Sequence, residues 1–471
     1  MADEIKFGTD GWRGLIGEDF NFENVRRVIE AVAGHVRAEG LAERGVVVGY
    51  DMRFLSPEAA QVAAQVLAEN AIPVILAEKP TPTPALSYAV VSNHAAAGIM
   101  ITASHNPCRW NGVKVKAAYG GSAAPDIIRR IEGQLRNSGN SVERRGNGTK
   151  FRIKHADLVT PYLVRIKSLV DLAKIRSSGF RFVIDPMYGA ALGALARVLD
   201  EAGIPHVEIH GEHNPRFPGL NPEPIEPHIR ELRTAVTAGN FHAGFATDGD
   251  ADRLGAVDQS GSFVDSHKIF SILLKHLVED QGRRGEVVRT FSTTQMIDKI
   301  ARKHQLPVHV TPIGFKYICE LMLTRDILIG GEESGGIGVQ GHLPERDGIL
   351  NSLLLAEVMA VEERTLGEIV KELSEEFGPH YYSRVDLEID RERINRTLCL
   401  VKEHKVTTIA GRAVSGVEDL DGLKMLFGDD AWLLVRASGT ENLLRLYAEA
   451  PAPEAVEKML AEITAIAQSG P

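Results

Sequence analysis

The sequence predicts an α/β protein made of three βα-rich units of similar size, followed by a smaller α+β unit with an antiparallel sheet. Three observations carry this. Up to about residue 376, short β-branched runs alternate with longer helical patterns, the texture of layered α/β domains. A polar, Gly-rich, aperiodic stretch from Asn137 to Lys150 reads as a boundary between two such units. Beyond Phe377-Gly378-Pro379, a helix and several closely spaced strands precede a terminal helix. We therefore place domains at 1–150, 151–258, 259–376 and 377–471. A chain of 471 residues is long for one hydrophobic core, which agrees with such a division.

Taken in order, Val46 to Tyr50 reads as a buried strand. Ser56-Pro57-Glu58 then offers an N-cap serine and a proline at the first helical position, so a helix is expected through Ala59 to about Glu69. Gly98 to Thr102 is a second strand, and Ser104 falls on the loop beyond its carboxyl end, where open α/β sheets bind ligands. In the second unit, Phe180 to Asp185 is a strand and Gly189 to about Glu201 a helix. Phe241 to Ala246 is a strand that delivers an aspartate loop. Gly261 to Val264 is expected to open the third unit, whose strands include Val287 to Thr290, Val308 to Thr311 and Ile327 to Ile329. In the last unit the strand Val385 to Ile389 precedes a helix, and Pro453 to about Ala467 forms the closing helix.

Composition narrows the function. The hydrophobic fraction of 44% with 25% charged residues describes an ordinary globular protein, and the net charge of −10 argues against a general nucleic-acid binder. Met1-Ala2-Asp3-Glu4 has neither a basic region nor an apolar core, and no later run approaches the length of a membrane helix, so a cytoplasmic protein without membrane partners is expected. Cys108, Cys319 and Cys399 lack metal or redox spacing and are read as free thiols. Oligomeric state stays open between monomer and homodimer.

Two islands carry the chemistry. Asp248, Asp250 and Asp252 alternate on a Gly-containing loop and can aim oxygens at one hard cation, a site that suits Mg²⁺ when a phosphate completes its shell. An EF-hand is excluded, because Arg253 and Gln259 stand where Gly and Glu are needed. The plain structural alternative is an acidic turn capped by its own arginine. The second island, Thr102 to Pro107, offers the Ser104 hydroxyl without the Gly-x-Ser-x-Gly elbow of a hydrolase. Lys114 could return to the same site as a proton acceptor if neighbouring cations lower its pKa.

Two further loops look like grips. Arg436 to Asn442 gathers a guanidinium, two hydroxyls and a Gly-permitted turn, an inventory for a phosphate dianion, with Arg445 as a second cation. Gly330 to Gly336 offers carboxylates and a hydroxyl suited to vicinal sugar hydroxyls. The Gly336-x-Gly338-x-x-Gly341 spacing is not a dinucleotide fingerprint, since His342-Leu343-Pro344 follows with no helix opening at the glycines. No Gly-x-x-x-x-Gly-Lys-Ser/Thr nucleotide loop occurs.

At these residues the chain resembles the α-D-phosphohexomutase superfamily, which contains phosphoglucomutase, phosphomannomutase and phosphoglucosamine mutase. The resemblance spans the whole length and rests on five ordered islands: Phe7 to Gly14, Thr102 to Pro107, Asp248 to Arg253, Gly331 to Gly336 and Arg436 to Asn442. It implies four domains around a central cleft, three with similar mixed sheets. It further implies that Ser104 is the phosphoserine and holds Mg²⁺ together with Asp248, Asp250 and Asp252. Glu332 and Ser334 would grip sugar hydroxyls, while Arg436, Ser438, Gly439 and Thr440 would bind the phosphate that is not reacting. Arg13, His105, Lys114 and Arg253 would orient or neutralise groups around the transferred phosphate, with Lys114 as general base, and Lys316 would contact sugar or phosphate. The implied reaction interconverts glucose 1-phosphate and glucose 6-phosphate through a reorienting glucose 1,6-bisphosphate, which also primes the serine. Some phosphomannomutase members carry His where this chain has Gly336, and phosphoglucosamine mutases typically show Gln at the position of Glu333. Glucose phosphates are therefore favoured, with mannose phosphates second. The departure at Gly336 leaves the acid of the return step open, with His342 as a guess. A non-catalytic sugar-phosphate sensor would be expected to lose Ser104 or a metal aspartate; a metal-dependent phosphatase could use the same aspartates.

Overall fold

The computed structural model describes residues 5–8, 10–137, 153–438 and 442–469. The expected boundary around 138–150, and Gly439 and Thr440 of the phosphate grip, lie outside the described residues. The chain divides into two compact units, Met1–Gly285 with Gly314–Ile369, and Glu286–Ile313 with Val370–Pro471.

The first unit begins with a six-stranded mixed sheet in the order Trp12–Leu15, Trp110–Ala117, Ala97–Ile101, Val46–Tyr50, Val74–Ala77, Ile153–Ala156. The last four strands run parallel to one another and the first two antiparallel. Alternation along Val46–Tyr50 sorts its side chains between two cores. Val46 and Val48 pack with Val25, Ile29, Ala60 and Leu67 of two helices, while Val47 packs with Leu86, Val90 and Met100 on the other face. Burial on both faces explains why this strand reads as a continuous apolar run.

A second mixed sheet has the order Phe263–Val264, Leu254–Asp258, Ala243–Thr247, Phe182–Asp185, His206–Glu208. Two expectations change here and one in the first sheet. Phe263–Val264 pairs antiparallel with Leu254–Asp258, Ala256 opposite Val264, so it finishes this sheet instead of opening the next unit. A two-residue strand next to its partner in sequence closes locally as a hairpin. The helix expected from Gly189 begins only at Ala194, because Met187 and Tyr188 take left-handed φ of 49° and 56° and Ala190 N donates to Gly249 O at 2.9 Å. Those residues brace the aspartate loop. Ser56 is inside its helix, not its cap: Leu55 is the cap residue, and the Ser56 hydroxyl donates to Asp51 Oδ1 at 2.7 Å.

A third pair of strands, Ile327–Gly331 and Ile337–Val339, runs antiparallel and brackets the loop 332–336. The helix Gly348–Glu362 follows, with Asp347 accepting from Leu350 N at 2.9 Å as its cap.

In the second unit, Glu286–Thr290 runs parallel to Val308–Thr311. A five-stranded antiparallel sheet follows in the order Tyr381–Glu388, Leu443–Ala450, Trp432–Ala437, Leu423–Leu426, Gly416–Glu418. Leu433, Val435, Leu444 and Leu446 face the helices Arg391–Lys402 and Pro453–Gln468. On the opposite face, Trp432, Leu434 and Tyr447 pack against Phe291. No described helix is long and apolar enough to cross a membrane.

Candidate active site

The strand Ala97–Ile101 ends at a loop in which Ser104 is fully buried and takes a left-handed φ of 52°. A non-glycine residue there is held against its preference, which points to function. Its Oγ donates to Asp248 Oδ2 at 2.7 Å and lies 3.4 Å from His105 Nδ1. The two sequence islands therefore meet. Gly249 makes the approach possible, since a Cβ at that position would lie 2.3 Å from Ser104 O.

Asp248, Asp250 and Asp252 are fully buried, and one oxygen from each lies within 4.8 Å of the others. Burial, then Asp252 and Asp250, push the Asp248 carboxyl well above its ordinary range. Asp250 Oδ1 and Asp252 Oδ1 have no hydrogen-bond partner among the described residues. Mutually repelling carboxylates with unpartnered buried oxygens are what a hard divalent cation would satisfy, so the donor set fits a metal.

Lys114 lies across this cluster, its Nζ 2.7 Å from Asp250 Oδ2, 2.9 Å from Asp252 Oδ2 and 2.8 Å from Asp10 Oδ2. Burial alone would lower its pKa, but Asp10, Asp250 and Asp252 outweigh burial and hold the ammonium above the ordinary lysine range. That direction is opposite to the lowered pKa expected for a base, because the close partners of Lys114 in this structure are carboxylates rather than cations.

Arg346 is a central residue that sequence reasoning missed. Its Nη2 donates to Asp10 Oδ2 at 2.5 Å and to Asp252 Oδ2 at 2.6 Å, and its Nη1 to Glu332 Oε2 at 3.3 Å. A Cβ at Gly336 would lie 2.1 Å from Arg346 Cδ, so the arginine fills the space that a side chain at 336 would need. His342 does not fill it. Its Nε2 is bonded at 3.0 Å to Asp347, the helix cap, which also accepts from Tyr162. Asp10, which joins Lys114 to Arg346, was likewise not singled out.

Other expected residues gather nearby. Arg13 Nη1 donates to Asn106 Oδ1 at 2.5 Å, and burial with the adjacent Arg253 lowers its pKa. Arg253 Nε lies 3.9 Å from Asp248 Oδ2 and 3.8 Å from Asp252 Oδ1. Burial opposes the Arg253 charge, but Asp248 and Asp252 prevail and hold its pKa above the ordinary arginine range. Glu332 is buried, and burial pushes its carboxyl up to about 7 despite Arg346. Ser334 is half-buried on the same loop. Lys316 lines a cavity of about 180 Å³ with Asp10, Gly11 and Ser122.

In the second unit Arg436 and Arg445 stand directly opposite on neighbouring strands, and Asp386 is opposite Arg445 on the next. Cross-strand partners share a face of the sheet. Arg436 Nε donates to Asp421 Oδ1 at 2.8 Å, and Ser438 N donates to Leu443 O at 2.8 Å.

Comparison with known proteins agrees with this architecture. Family models described as phosphoglucomutase/phosphomannomutase match in four pieces: α/β/α domain I over residues 4–141, domain II over 160–261, domain III over 265–377 and the C-terminal domain over 399–466. A phosphoglucomutase/phosphomannomutase of Thermococcus kodakarensis is 30% identical, with 96% of each chain covered. A phosphoglucosamine mutase of Carboxydothermus hydrogenoformans is 31% identical over 98% of each. A crystal structure from Thermus thermophilus, of a protein named as a candidate phosphomannomutase, superimposes with a TM-score of 0.87 at 36% identity over 100% of both chains. With three α/β domains, a C-terminal domain built on an antiparallel sheet and a serine set against an aspartate triad, the chain belongs to the phosphoglucomutase/phosphomannomutase family of isomerases, within the α-D-phosphohexomutase superfamily.

Proposed function

We propose that the protein interconverts glucose 1-phosphate and glucose 6-phosphate, and turns over mannose phosphates as well, through a phosphorylated Ser104. The observation that carries this reading is the 2.7 Å bond from Ser104 Oγ to Asp248 inside a buried three-carboxylate cluster. Asp248, Asp250 and Asp252, with a phosphate oxygen on Ser104, would hold Mg²⁺, which supplies Lewis-acid charge to the phosphoryl group.

This chain's own residues supply the rest. Phosphoryl transfer asks mainly for alignment and charge neutralisation, so Lys114, Arg13 and Arg253 need only remain cationic around the phosphoryl oxygens, and His105 helps to orient them. The bond from phosphorus to Ser104 Oγ breaks as one to a sugar hydroxyl oxygen forms, and the hydroxyl proton ends on Ser104 Oγ. The reverse transfer takes the other phosphate of the resulting bisphosphate. Glu332 and Ser334 grip sugar hydroxyls, Lys316 contacts sugar or phosphate, and Arg436, Ser438, Gly439, Thr440 and Arg445 bind the idle phosphate. Glucose 1,6-bisphosphate primes the unphosphorylated enzyme. Glucose and mannose differ at C2, and a grip on hydroxyls they share discriminates modestly.

A coupled assay of glucose, mannose and glucosamine 1-phosphates tests this. Glucose 1-phosphate should react fastest and mannose 1-phosphate measurably. Absence of mannose turnover at saturation would refute dual use, preference for glucosamine 1-phosphate would reassign the substrate, and free phosphate without isomer would mark a phosphatase.

A further inference from the structure

Arg53 is 1% exposed and makes four hydrogen bonds, three to the loop that bears Ser104 and one to the start of the strand that follows it. Its Nη2 donates to Ser104 O and Asn106 O, both at 2.6 Å, and its Nη1 to Pro107 O at 2.9 Å and Trp110 O at 3.1 Å. Its Nε lies 3.2 Å from Asp51 Oδ2 in an ion pair, and the Phe217 ring covers the guanidinium at 5.0 Å. Only a planar fork with separated donors can reach four carbonyls at once; an ammonium presents three donors from a single point.

Asp51 closes the circuit. Its Oδ2 accepts from Thr102 Oγ1 at 2.6 Å, and that same hydroxyl oxygen accepts from Ser104 N at 2.9 Å. Asp51 Oδ1 accepts from Arg53 N at 2.9 Å and Ser56 Oγ at 2.7 Å. The backbone of Ser104 is thus held at its N–H through Thr102 and at its carbonyl by Arg53. Both holds anchor on one buried carboxylate. These restraints hold a left-handed serine whose Oγ lies 2.7 Å from Asp248 Oδ2.

We infer that Arg53, anchored by Asp51, is a positioning residue that sets the Ser104 oxygen in line for phosphoryl transfer without touching the substrate. The inference rests on Ser104 being the group that carries the phosphoryl. Misplacing a reacting atom by about 1 Å can cost roughly 10²-fold in rate, whereas the sugar and phosphate grips lie on other loops.

The test measures kcat and KM for glucose 1-phosphate in wild type, Arg53→Lys and Ser104→Ala, with thermal unfolding recorded in parallel. Arg53→Lys should lower kcat by about 10²-fold, with KM within about twofold. If Arg53→Lys does not fold, Thr102→Val decides, since it removes one hydroxyl from the circuit at nearly constant volume; a fall in kcat of about tenfold at unchanged KM is expected. Wild-type kcat in the folded variant, or a loss confined to KM, overturns the inference. Substantial turnover by Ser104→Ala would instead overturn the role of Ser104 itself, so the two failures are distinguishable.

Discussion

Asp250 uses its two oxygens differently. Oδ2 accepts from Lys114 and from Thr83 Oγ1, and these contacts overcome burial to hold the carboxyl below its ordinary range, while Oδ1 has no hydrogen-bond partner among the described residues. Asp250→Asn should therefore weaken Mg²⁺ binding in calorimetry and lower kcat by several orders of magnitude, in keeping with the several kcal/mol that metal charge stabilisation supplies. Full activity in excess chelator would contradict the metal's role. Gly336 permits a second prediction. A methyl at that position must displace the Arg346 side chain, so Gly336→Ala should cost about 1–3 kcal/mol in chemical denaturation and reduce turnover with it. The difference between what was and was not legible is plain at this scale. Ser104 and the three aspartates stand in contiguous motifs whose spacing already implies a shared target. Arg53 and Arg346 are single charges among 53 Lys and Arg, and Asp10, though inside the Phe7 to Gly14 island, lies 336 positions from its partner Arg346, so only long-range contacts give the three a role.

Elements in the second sheet are tied by a charged link. Asp185 ends the strand Phe182–Asp185, His210 follows the strand His206–Glu208, and Glu231 lies on the helix Arg230–Ala238. The imidazole sits between the two carboxylates, 2.9 Å from each. Burial opposes its charge, but Asp185 and Glu231 prevail and bring it up to about 9. A histidine whose folded pKa exceeds the unfolded value near 6.5 contributes stability that is full below about 6.5 and is lost as pH rises through about 9. Thermal unfolding of His210→Gln should thus fall below wild type at pH 6, with the gap narrowing by pH 10; a gap that stays constant would remove the ionic account. Strand and helix positions were largely legible from β-branched runs, because both faces of the central strands are buried. Ser56 misled because its Ser-Pro-Glu setting has the local signature of a cap, whereas Asp51 had the stronger claim on its hydroxyl. The late helix start at Ala194 was hidden because its cause is a bond to Gly249, some 60 residues away.

For the whole molecule, the proposed phosphate grip belongs to the second compact unit. Arg436 and Arg445 are cross-strand partners on one sheet, with Asp421 2.8 Å from the first and Asp386 3.9 Å from the second. If that grip serves either orientation of the bisphosphate, Arg436→Ala should weaken glucose 1-phosphate and glucose 6-phosphate alike. Loss of one charge-assisted hydrogen bond costs about 1.5–3 kcal/mol, or roughly tenfold or more in affinity. A defect in only one direction would break the reorienting scheme. The number and order of α/β layers were readable along the chain, whereas the meeting of Ser104 with Asp248 across 144 positions was an inference from chemistry that the 2.7 Å contact supports. The chemistry proposed for this enzyme stands or falls on that meeting. Intact-mass analysis of enzyme incubated with glucose 1,6-bisphosphate, beside Ser104→Ala treated identically, tests it most directly. One added phosphoryl group is predicted on wild type, none on the variant, together with a loss of isomerisation in the variant; an unmodified wild type that turns over, or a Ser104→Ala enzyme with near-normal rate, would contradict it.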